Sequence, residues 1–255
     1  MIFYFSATGN SKYVAQRLAG ATGERLVFLR DAVRSRAYHY DLGRQERLGF
    51  VVPTYFFGLP SILTFFLKKL TLNGYEDQYI YLVLTCGSTT AGAGSQMRKL
   101  LKEKGLTLSA QFAVPMVDNY VPMFKIADQE AIEQKLDAAE AYIDEACAAI
   151  LARGTGDYDR CQGHFPGALT AVAYQPYAHG RSTRPFLVTD ACVSCGLCQE
   201  LCPCGAITMS EGRPAWSKPQ CVRCLACLHR CPTRAIRWKS PGEDQGRYYN
   251  PRVEP

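Results

Sequence analysis

The feature that most restricts the fold is a cysteine motif that occurs twice near the C-terminus. Residues 192–203 read CVSCGLCQELCP, and residues 221–232 read CVRCLACLHRCP. Each copy has the spacing C-x₂-C-x₂-C-x₃-C-P, and eight of the sixteen positions aligned from Cys192 and Cys221 are identical. Such a duplication predicts two half-domains related by a pseudo-two-fold axis. A unit of roughly fifty-five residues has little core of its own, so bound metal is expected to hold it together.

The spacing of the motif favours iron–sulfur clusters over zinc. Three cysteines separated by two residues can wrap one cuboidal cluster, and the proline after the fourth cysteine directs that residue away from the other three. Structural zinc also binds thiolates, but it uses four ligands that usually come as two C-x₂-C pairs. The zinc alternative, a binding module without redox function, stays open at this point and predicts a colourless protein.

The cysteine content also bears on the cellular compartment. Twelve cysteines would suit a secreted, disulfide-bonded chain, but Met1–Phe5 leads directly into SATGNS without the regions of a secretory signal. Clustered cysteines then indicate metal ligation in a reducing, cytoplasmic compartment. The most apolar stretch, residues 48–70, is interrupted by Pro53, Gly58 and Pro60, so we expect a strand, a loop and a helix there rather than a membrane span.

The first half of the chain alternates short apolar runs with amphipathic stretches. Strands are predicted at Ile2–Phe5, Leu26–Leu29, Leu48–Val52, Tyr79–Leu84 and Ser109–Pro115. Helices are predicted at Lys12–Leu18, Ile62–Leu70, Gln96–Lys104 and Gln129–Arg153. Strands separated by helices predict a doubly wound α/β domain with a parallel sheet. In such sheets ligands bind beyond the carboxyl ends of the strands.

Three loops occupy those strand ends. Residues 6–11, SATGNS, bring hydroxyls to a helix N-terminus and suit a single phosphate, although an ordinary turn capped by Ser11 is the alternative. Residues 53–60 carry three consecutive aromatic side chains, which would suit a flat ring ligand or would cover the core. Residues 85–94 are rich in glycine and small hydroxyls and let backbone approach a planar ligand.

Together these loops resemble those of the flavodoxin family, and the resemblance implies non-covalent FMN. It implies that the phosphate lies among Ser6, Ala7, Thr8, Gly9, Asn10 and Ser11. It implies that the isoalloxazine ring lies along Pro53, Thr54, Tyr55, Phe56, Phe57, Gly58, Thr85, Cys86 and Gly87. Asn119 and Tyr120 would reach or cover the ring, with packing as the alternative.

The cysteine motif is similar to that of bacterial ferredoxins with two four-iron clusters, in which the fourth cysteine crosses to the other cluster. This resemblance implies one [4Fe-4S] cluster on Cys192, Cys195, Cys198 and Cys231. It implies a second [4Fe-4S] cluster on Cys221, Cys224, Cys227 and Cys202.

Across nearly its whole length the chain resembles the prokaryotic flavodoxin–ferredoxin fusion proteins. The resemblance implies an α/β, flavodoxin-like doubly wound sheet followed by a smaller α+β, bacterial ferredoxin-like domain. We expect the first domain at residues 1–155, a linker at 156–184, the ferredoxin domain at 185–240 and a C-terminal tail at 241–255.

The remaining reactive side chains are expected to have structural roles. Cys204 is interpreted as a small spare residue, Cys147 as core and Cys161 as a linker residue without partners. Cys86 is interpreted as a small residue beside the ring, with a redox role as the alternative. His229 is expected to face solvent, and the tyrosines in the tail are expected to hold it against the protein.

The function expected from this combination is electron transfer. The chain would pass single electrons between two clusters and FMN and link a low-potential donor to an acceptor protein, with no residue singled out as catalytic. The alternative is an FMN-dependent reductase that acts on an organic substrate with electrons from the clusters. The net charge of +6 is interpreted as compensation for anionic cofactors rather than as a nucleic-acid surface. The oligomeric state is left open.

Overall fold

The computed structural model describes residues 1–163, 167–240 and 245–254, without the side chains of residues 167 and 168. Parts of the predicted linker (164–166) and of the predicted tail (241–244 and 255) therefore lie outside the described residues. The first half contains β1 (Ile2–Tyr4), α1 (Asn10–Thr22), β2 (Leu26–Phe28), α2 (Leu29–Arg34), β3 (His39–Asp41), β4 (Leu48–Pro53), α3 (Ser61–Lys69), β5 (Thr71–Asn73), β6 (Ile80–Cys86), α4 (Ala93–Lys102), β7 (Ala110–Pro115) and α5 (Gln129–Leu151).

The second half begins with two elements inside the predicted linker and continues into the cysteine region. Its elements are β8 (Gly156–Asp157), α6 (Gly167–His179), β9 (Phe186–Val188), α7 (Leu197–Leu201), β10 (Ile207–Ser210), β11 (Arg213–Trp216), α8 (Ala226–His229) and β12 (Ile236–Trp238).

A six-stranded sheet forms the centre of the first domain, with the order β2-β1-β4-β6-β7-β8 and every neighbouring pair parallel. Its middle strands are largely apolar, and β6 is buried along its whole length. Helices cover both faces, because a parallel sheet of this kind buries both of its sides. The predicted flavodoxin-like α/β fold is confirmed.

The two faces of the sheet have separate cores. On one face α1 and α5 contribute Leu18, Leu136 and Ile143. On the other face α3 and α4 contribute Phe66 and Leu101. Asp128 starts α5, since its carboxylate accepts a hydrogen bond from the Ala131 amide at 2.9 Å. The predicted strands and long helices therefore form where the apolar faces of the helices pack against the sheet.

The segment after α5 is more regular than its sequence suggests. Strand β8 adds a sixth strand beside β7, and α6 places Tyr177 against α3, where its hydroxyl accepts from the Ser61 amide at 3.1 Å. The segment predicted as a linker, 156–184, therefore contains two regular elements. The helix lacks a one-sided apolar pattern and contains Pro176, which explains why sequence periodicity missed it.

The cysteine region is a small α+β unit. It pairs β9 with β12 and β10 with β11, both antiparallel, around a core that includes Ile207, Leu228 and Ile236. This unit packs directly on the first domain. Val121, from the loop after β7, lies in the core of the cysteine unit, and Val222 lies in a core of the first domain.

Candidate functional site

A cleft of about 1160 Å³, counted to its open mouth, lies at the carboxyl ends of the central strands. Its walls come from the loops after β1, β4, β6 and β7 and from residues 223–225 of the cysteine unit. The sheet order reverses direction between β1 and β4, and such switch points are where doubly wound sheets bind ligands. All residues predicted to contact FMN line this cleft except Gly9 and Gly58.

One end of the cleft is suited to an anion. The hydroxyl oxygens of Ser6 and Thr54 are buried and have no hydrogen-bond partner among the described residues. Helix α1 begins at Asn10 without a side-chain cap, so the positive end of its dipole faces the same loop. Buried hydroxyls in need of a partner and a helix N-terminus are the donors that a phosphate monoester accepts.

The other hydroxyls of this loop already have protein partners. Ser11 Oγ lies 2.8 Å from Thr85 Oγ1, which ties the loop after β1 to the end of β6. Asn119 Nδ2 donates to Thr8 Oγ1 at 2.9 Å, which ties it to the loop after β7. The Asn119 side chain thus supports the loop 6–11, a position compatible with its predicted place beside the ligand.

The C-terminal segment closes over the back of this loop. The Asn250 amide donates to the Thr8 carbonyl at 2.8 Å, and the Tyr248 hydroxyl donates to Asn10 Oδ1 at 2.6 Å. Gly9 has φ 91°, and a Cβ at this position would lie 2.8 Å from the Asn250 Cβ. Glycine is therefore required here by conformation and by space, and the tail holds the loop as its tyrosines suggested.

An aromatic turn forms the wall after β4. Tyr55 and Gly58 exchange backbone hydrogen bonds of 2.8 and 3.0 Å, and the two residues between them, Phe56 and Phe57, have positive φ of 51° and 68°. Left-handed backbone at non-glycine residues costs roughly 1–2 kcal/mol each. Such strain persists where the surroundings fix it and is common at ligand sites.

Two rings hold Phe56 in place at the cleft. It stacks on Tyr177 of α6 at a centroid distance of 5.1 Å and meets Tyr120 edge-on at 5.0 Å. Burial raises the pKa of Tyr120, so its hydroxyl stays neutral. Aromatic walls that are fixed by their neighbours suit a flat, largely apolar ring.

The cysteine unit supplies a third wall that the sequence analysis did not assign to this site. Arg223, Cys224 and Leu225 line the cleft. The Arg223 guanidinium lies 5.9 Å from the Phe56 ring centroid and 5.6 Å from that of Trp238. In the sequence, the only sign of a role for Arg223 was its position between two motif cysteines. The packing of the two domains against each other is what brings this side chain to the cleft.

The predicted first set of cysteines surrounds one cavity. Cys192, Cys195, Cys198 and Cys231 all line a cavity of about 340 Å³ that includes its mouth. Three of these residues come from the first motif and the fourth from the second. Cys195 is exposed, so this cavity lies near the protein surface.

The predicted second set surrounds another cavity. Cys221, Cys224, Cys227 and Cys202 line a space of about 310 Å³, its opening to solvent included, and Cys204 lines it as well. Cys224 also lines the large cleft. Burial raises the pKa of Tyr55 well above its usual value, and the neighbouring Cys224 raises it further. One cysteine therefore borders both the cleft and the second cavity.

The fourth cysteine of each motif has the same backbone environment. Cys202 Sγ accepts a hydrogen bond from the Ala206 amide at 3.1 Å, and Cys231 Sγ accepts one from the Ala235 amide at 3.2 Å. Amide donors to sulfur favour the thiolate form that metal ligation needs. The hydrogen bond with Cys204, ahead of the opposing effect of burial, lowers the pKa of Cys202 to about 6.

The cysteine geometry differs from a site for a single metal ion. Within the described ranges, which include every cysteine of both motifs, no three His, Cys, Asp or Glu side chains converge on one ion position. Structural zinc needs four ligands at about 2.3 Å from one ion. Four cysteines spread around a cavity suit a cluster that occupies the space between them.

Two sequence expectations are wrong. His229 is buried, with 6% of its surface exposed, because its Nε2 donates to the Asn119 carbonyl at 2.9 Å and its Nδ1 accepts from the Tyr248 amide at 3.2 Å. Cys161 is not without partners, since its thiol contacts the thiol of Cys86. Both contacts join residues that are far apart in sequence, so no local sequence pattern predicts them.

Two domain families match this chain. A flavodoxin domain model matches residues 1–141, and a 4Fe-4S dicluster domain model matches residues 191–236. No curated protein gives a significant match. Among the described residues, no helix is both long and apolar enough to cross a membrane.

Several solved structures are similar to part of the chain. The Trp repressor binding protein from Bacillus subtilis is 17% identical, with 54% of this chain and 93% of that chain covered and a TM-score of 0.36. The azoreductase AzrA is 12% identical, with coverage of 60% and 98% and a TM-score of 0.37. Rubredoxin oxygen:oxidoreductase from Desulfovibrio gigas is 17% identical, with coverage of 59% and 36% and a TM-score of 0.34.

The flavodoxin match extends over more than half of the 255 residues, and it covers the sheet and the loops that form the cleft. The dicluster match covers both cysteine motifs. The chain belongs to the flavodoxin family, and its second domain makes it a flavodoxin–ferredoxin fusion.

Proposed function

We propose that this protein transfers single electrons between two [4Fe-4S] clusters and one FMN, and so links a low-potential donor to an acceptor protein. The observation that carries the proposal is the position of Cys224, which borders both the second cysteine cavity and the large cleft. A cluster held by this residue would lie next to a flavin in the cleft, with no further protein layer between them.

The cleft supports FMN in particular because its two ends have different chemistry. Ser6, Thr54 and the start of α1 offer donors to a phosphate. Phe56 and Tyr120 offer flat apolar surface to the ring. A flavin without phosphate would leave the buried hydroxyls unsatisfied, at a cost of roughly 1–3 kcal/mol each.

The two cysteine cavities support two clusters with crossed ligands. Each cavity is lined by three cysteines of one motif and the fourth cysteine of the other. Burial raises the pKa of Cys224 and of Cys227 in the metal-free chain, so their thiolates need a cationic partner. Iron supplies that partner, and ligand binding then contributes to folding.

The arrangement sets the order in which electrons would pass between the three cofactor sites. The first cavity lies near the surface beside exposed Cys195, and the second lies against the cleft. Iron–sulfur clusters exchange one electron at a time, whereas flavin exchanges one or two. The protein's own contribution is to fix the order of the sites and to keep the second cavity and the aromatic wall in contact.

The direct test is cofactor analysis after anaerobic purification. We expect about eight irons, a similar amount of acid-labile sulfide and about one FMN per chain. Dithionite should bleach the brown colour and produce the electron paramagnetic resonance of reduced clusters. A colourless protein that contains zinc would refute the proposal.

The phosphate site has its own test. The Ser6→Ala variant should bind FMN about tenfold to a hundredfold more weakly, because a hydrogen bond to a charged group contributes roughly 1.5–3 kcal/mol. Fluorescence titration of the flavin-free protein measures this affinity. Riboflavin affinity should not change, and neither should FMN affinity in Ser35→Ala, which removes an exposed hydroxyl outside the cleft. An unchanged FMN affinity in Ser6→Ala would place the phosphate elsewhere.

The mouth of the cleft supports a second candidate function, a flavin-dependent reductase of organic compounds. Met123 and Phe124 line the cleft and remain 68% and 48% exposed, so an apolar molecule could contact them. Anaerobic screening of the reduced protein against activated alkenes and quinones separates the candidates. Specific, saturable reoxidation by one compound class would favour the reductase, and its absence would favour the carrier.

A further inference from the structure

Two cysteines outside the predicted clusters lie next to the cleft. Cys86 ends β6, lines the cleft and is 6% exposed. Cys161 follows β8 and is half-buried. The two thiols lie close enough for each to shift the pKa of the other, although Cys86 ends β6 and Cys161 follows β8, two strands away in the sheet. Neither thiol has a role in the electron path described above.

The contact is held by the surrounding backbone. The Thr90 amide donates to the Cys161 carbonyl at 2.9 Å. The carboxylate of Asp159 accepts from the Cys161 amide at 2.8 Å and from the Thr90 hydroxyl at 2.5 Å. Gln111 of β7 donates to the same carboxylate at 2.9 Å. The segment that carries Cys161 is therefore fixed against the loop after β6.

The two thiols have unequal environments. A hydrogen bond from Cys86, ahead of the opposing effect of burial, lowers the pKa of Cys161. The same interaction, followed by burial, raises the pKa of Cys86. Lys135 favours the thiolate at both positions and Asp159 opposes it. A more accessible thiolate beside a buried thiol is the asymmetry found in reactive dithiol pairs.

We propose that Cys86 and Cys161 form a reversible disulfide that exchanges an electron pair with the flavin in the adjoining cleft. The exchange rests on the proposed function, whereas formation of the disulfide requires only the two thiols. In the oxidising direction two S–H bonds break and one S–S bond forms, and two electrons and two protons pass to oxidised flavin. In the other direction reduced flavin gives up two electrons and two protons, the S–S bond breaks, and both S–H bonds form again.

Such a pair would give the electron path a two-electron site beside the flavin. The clusters deliver electrons singly, and the flavin can combine two of them. A dithiol in contact with the cleft wall would hold that pair as two S–H bonds. The half-exposed Cys161 is then the sulfur through which the pair could be passed on by thiol–disulfide exchange.

The first test is chemical and independent of electron transfer. Anaerobically purified protein with its cofactors is treated with the thiol oxidant diamide, alkylated, digested and analysed by mass spectrometry. We expect a cross-linked peptide that joins Cys86 to Cys161, lost on reduction. It should persist in Cys147→Ser, which changes a half-buried cysteine on α5, and be lost in Cys161→Ser. Failure to form this cross-link in the wild type would overturn the proposal.

The second test counts electrons. Diamide-treated wild type, freed of excess reagent, should take up one more electron pair per chain in an anaerobic reductive titration than Cys161→Ser with equal iron and flavin. Equal uptake would overturn the electron-pair exchange. A preparation that forms the cross-link but contains no flavin would refute both the exchange and the proposed function, whereas a flavin protein without the cross-link would refute only the disulfide.

Discussion

The two cysteine motifs share a backbone but not an environment. Positions related by the repeat adopt the same left-handed conformation, whether or not glycine occupies them. The pairs and their φ values are Ser194 and Arg223 at 58° and 55°, Gly196 and Leu225 at 76° and 61°, and Gly205 and Arg234 at 56° and 53°. Non-glycine residues in this region cost energy, so the shared shape indicates a shared requirement of the cysteine cage.

The side chains between the cysteines diverge. The valine after the first cysteine is identical in both motifs, yet Val193 is 60% exposed and Val222 is 4% exposed. Glu200 is exposed, whereas His229, at the equivalent position, is buried against Asn119. The first motif is largely exposed, with a hydrogen bond from Arg34 of α2 to the Glu200 carbonyl, whereas the second motif packs against the flavodoxin domain through Val222 and His229.

This difference separates two kinds of information in the same motif. The spacing of the cysteines is the same in both copies, and it determines how each set of four cysteines surrounds its cavity. The residues between the cysteines determine which of the two cavities lies against the cleft. The two repeats should therefore respond alike to loss of iron and differently to loss of contact with the flavodoxin domain.

The largest difference is expected between Cys195→Ala and Cys224→Ala. Each variant should lose one cluster and therefore about half of its iron. Cys195→Ala removes the outer cluster and should slow flavin reduction by a low-potential donor only in part, because the second cavity still borders the cleft. Cys224→Ala should lose nearly all of it, because its cysteine joins that cavity to the cleft. Stopped-flow spectroscopy at the flavin absorbance measures both rates.

Two results would break this first contrast. Equal slowing in both variants would mean that the motifs do not differ in their access to the flavin. Slower reduction in Cys195→Ala alone would reverse the proposed order of the sites. Cys147→Ala serves as the control, since this cysteine lies on α5, outside both cavities, and its loss should leave the iron content unchanged.

The sequence predicted those parts of the molecule that local pattern determines. The parallel strands, α5 and the loops 6–11, 53–60 and 85–94 follow from periodicity and from the position of loops at strand ends. The part of the cleft wall that starts at Arg223 did not follow, because it exists only where two domains meet. Helix α6 was missed since its apolar residues are not confined to one face.

Buried polar contacts were the other weakness of sequence reasoning. His229, between Cys227 and Cys231, was expected to face solvent, yet its ring nitrogens pair with Asn119 and Tyr248. Those partners lie in a loop and in the tail, each distant in sequence. The sequence alone does not reveal these partners, so it gave no physical reason to expect a buried histidine at this position.

A smaller contrast is expected between His229→Ala and Glu200→Ala. The first leaves a buried carbonyl on Asn119 and a buried amide on Tyr248 unpaired and should lower the free energy of unfolding by about 2–4 kcal/mol. The second removes an exposed side chain and should change it by less than about 0.5 kcal/mol. Anaerobic denaturant unfolding, followed by tyrosine and tryptophan fluorescence, measures both. Equal midpoints would show that the buried contacts do not fix the domain interface.

The smallest effect is expected from Arg223→Ser, which gives the second motif the residue that the first has at Ser194. Arg223 brings a positive charge to the cleft, and such a charge favours the reduced, more anionic flavin. Its loss should lower the flavin midpoint potential by about 40 mV, or about 1 kcal/mol for a one-electron couple. Arg223→Lys should retain part of the effect, and Ser194→Arg should have none, since its motif faces solvent. Potentiometry with redox dyes resolves these shifts, and an equal response to Ser194→Arg would mean that only net charge matters and that the two motifs are electrostatically alike.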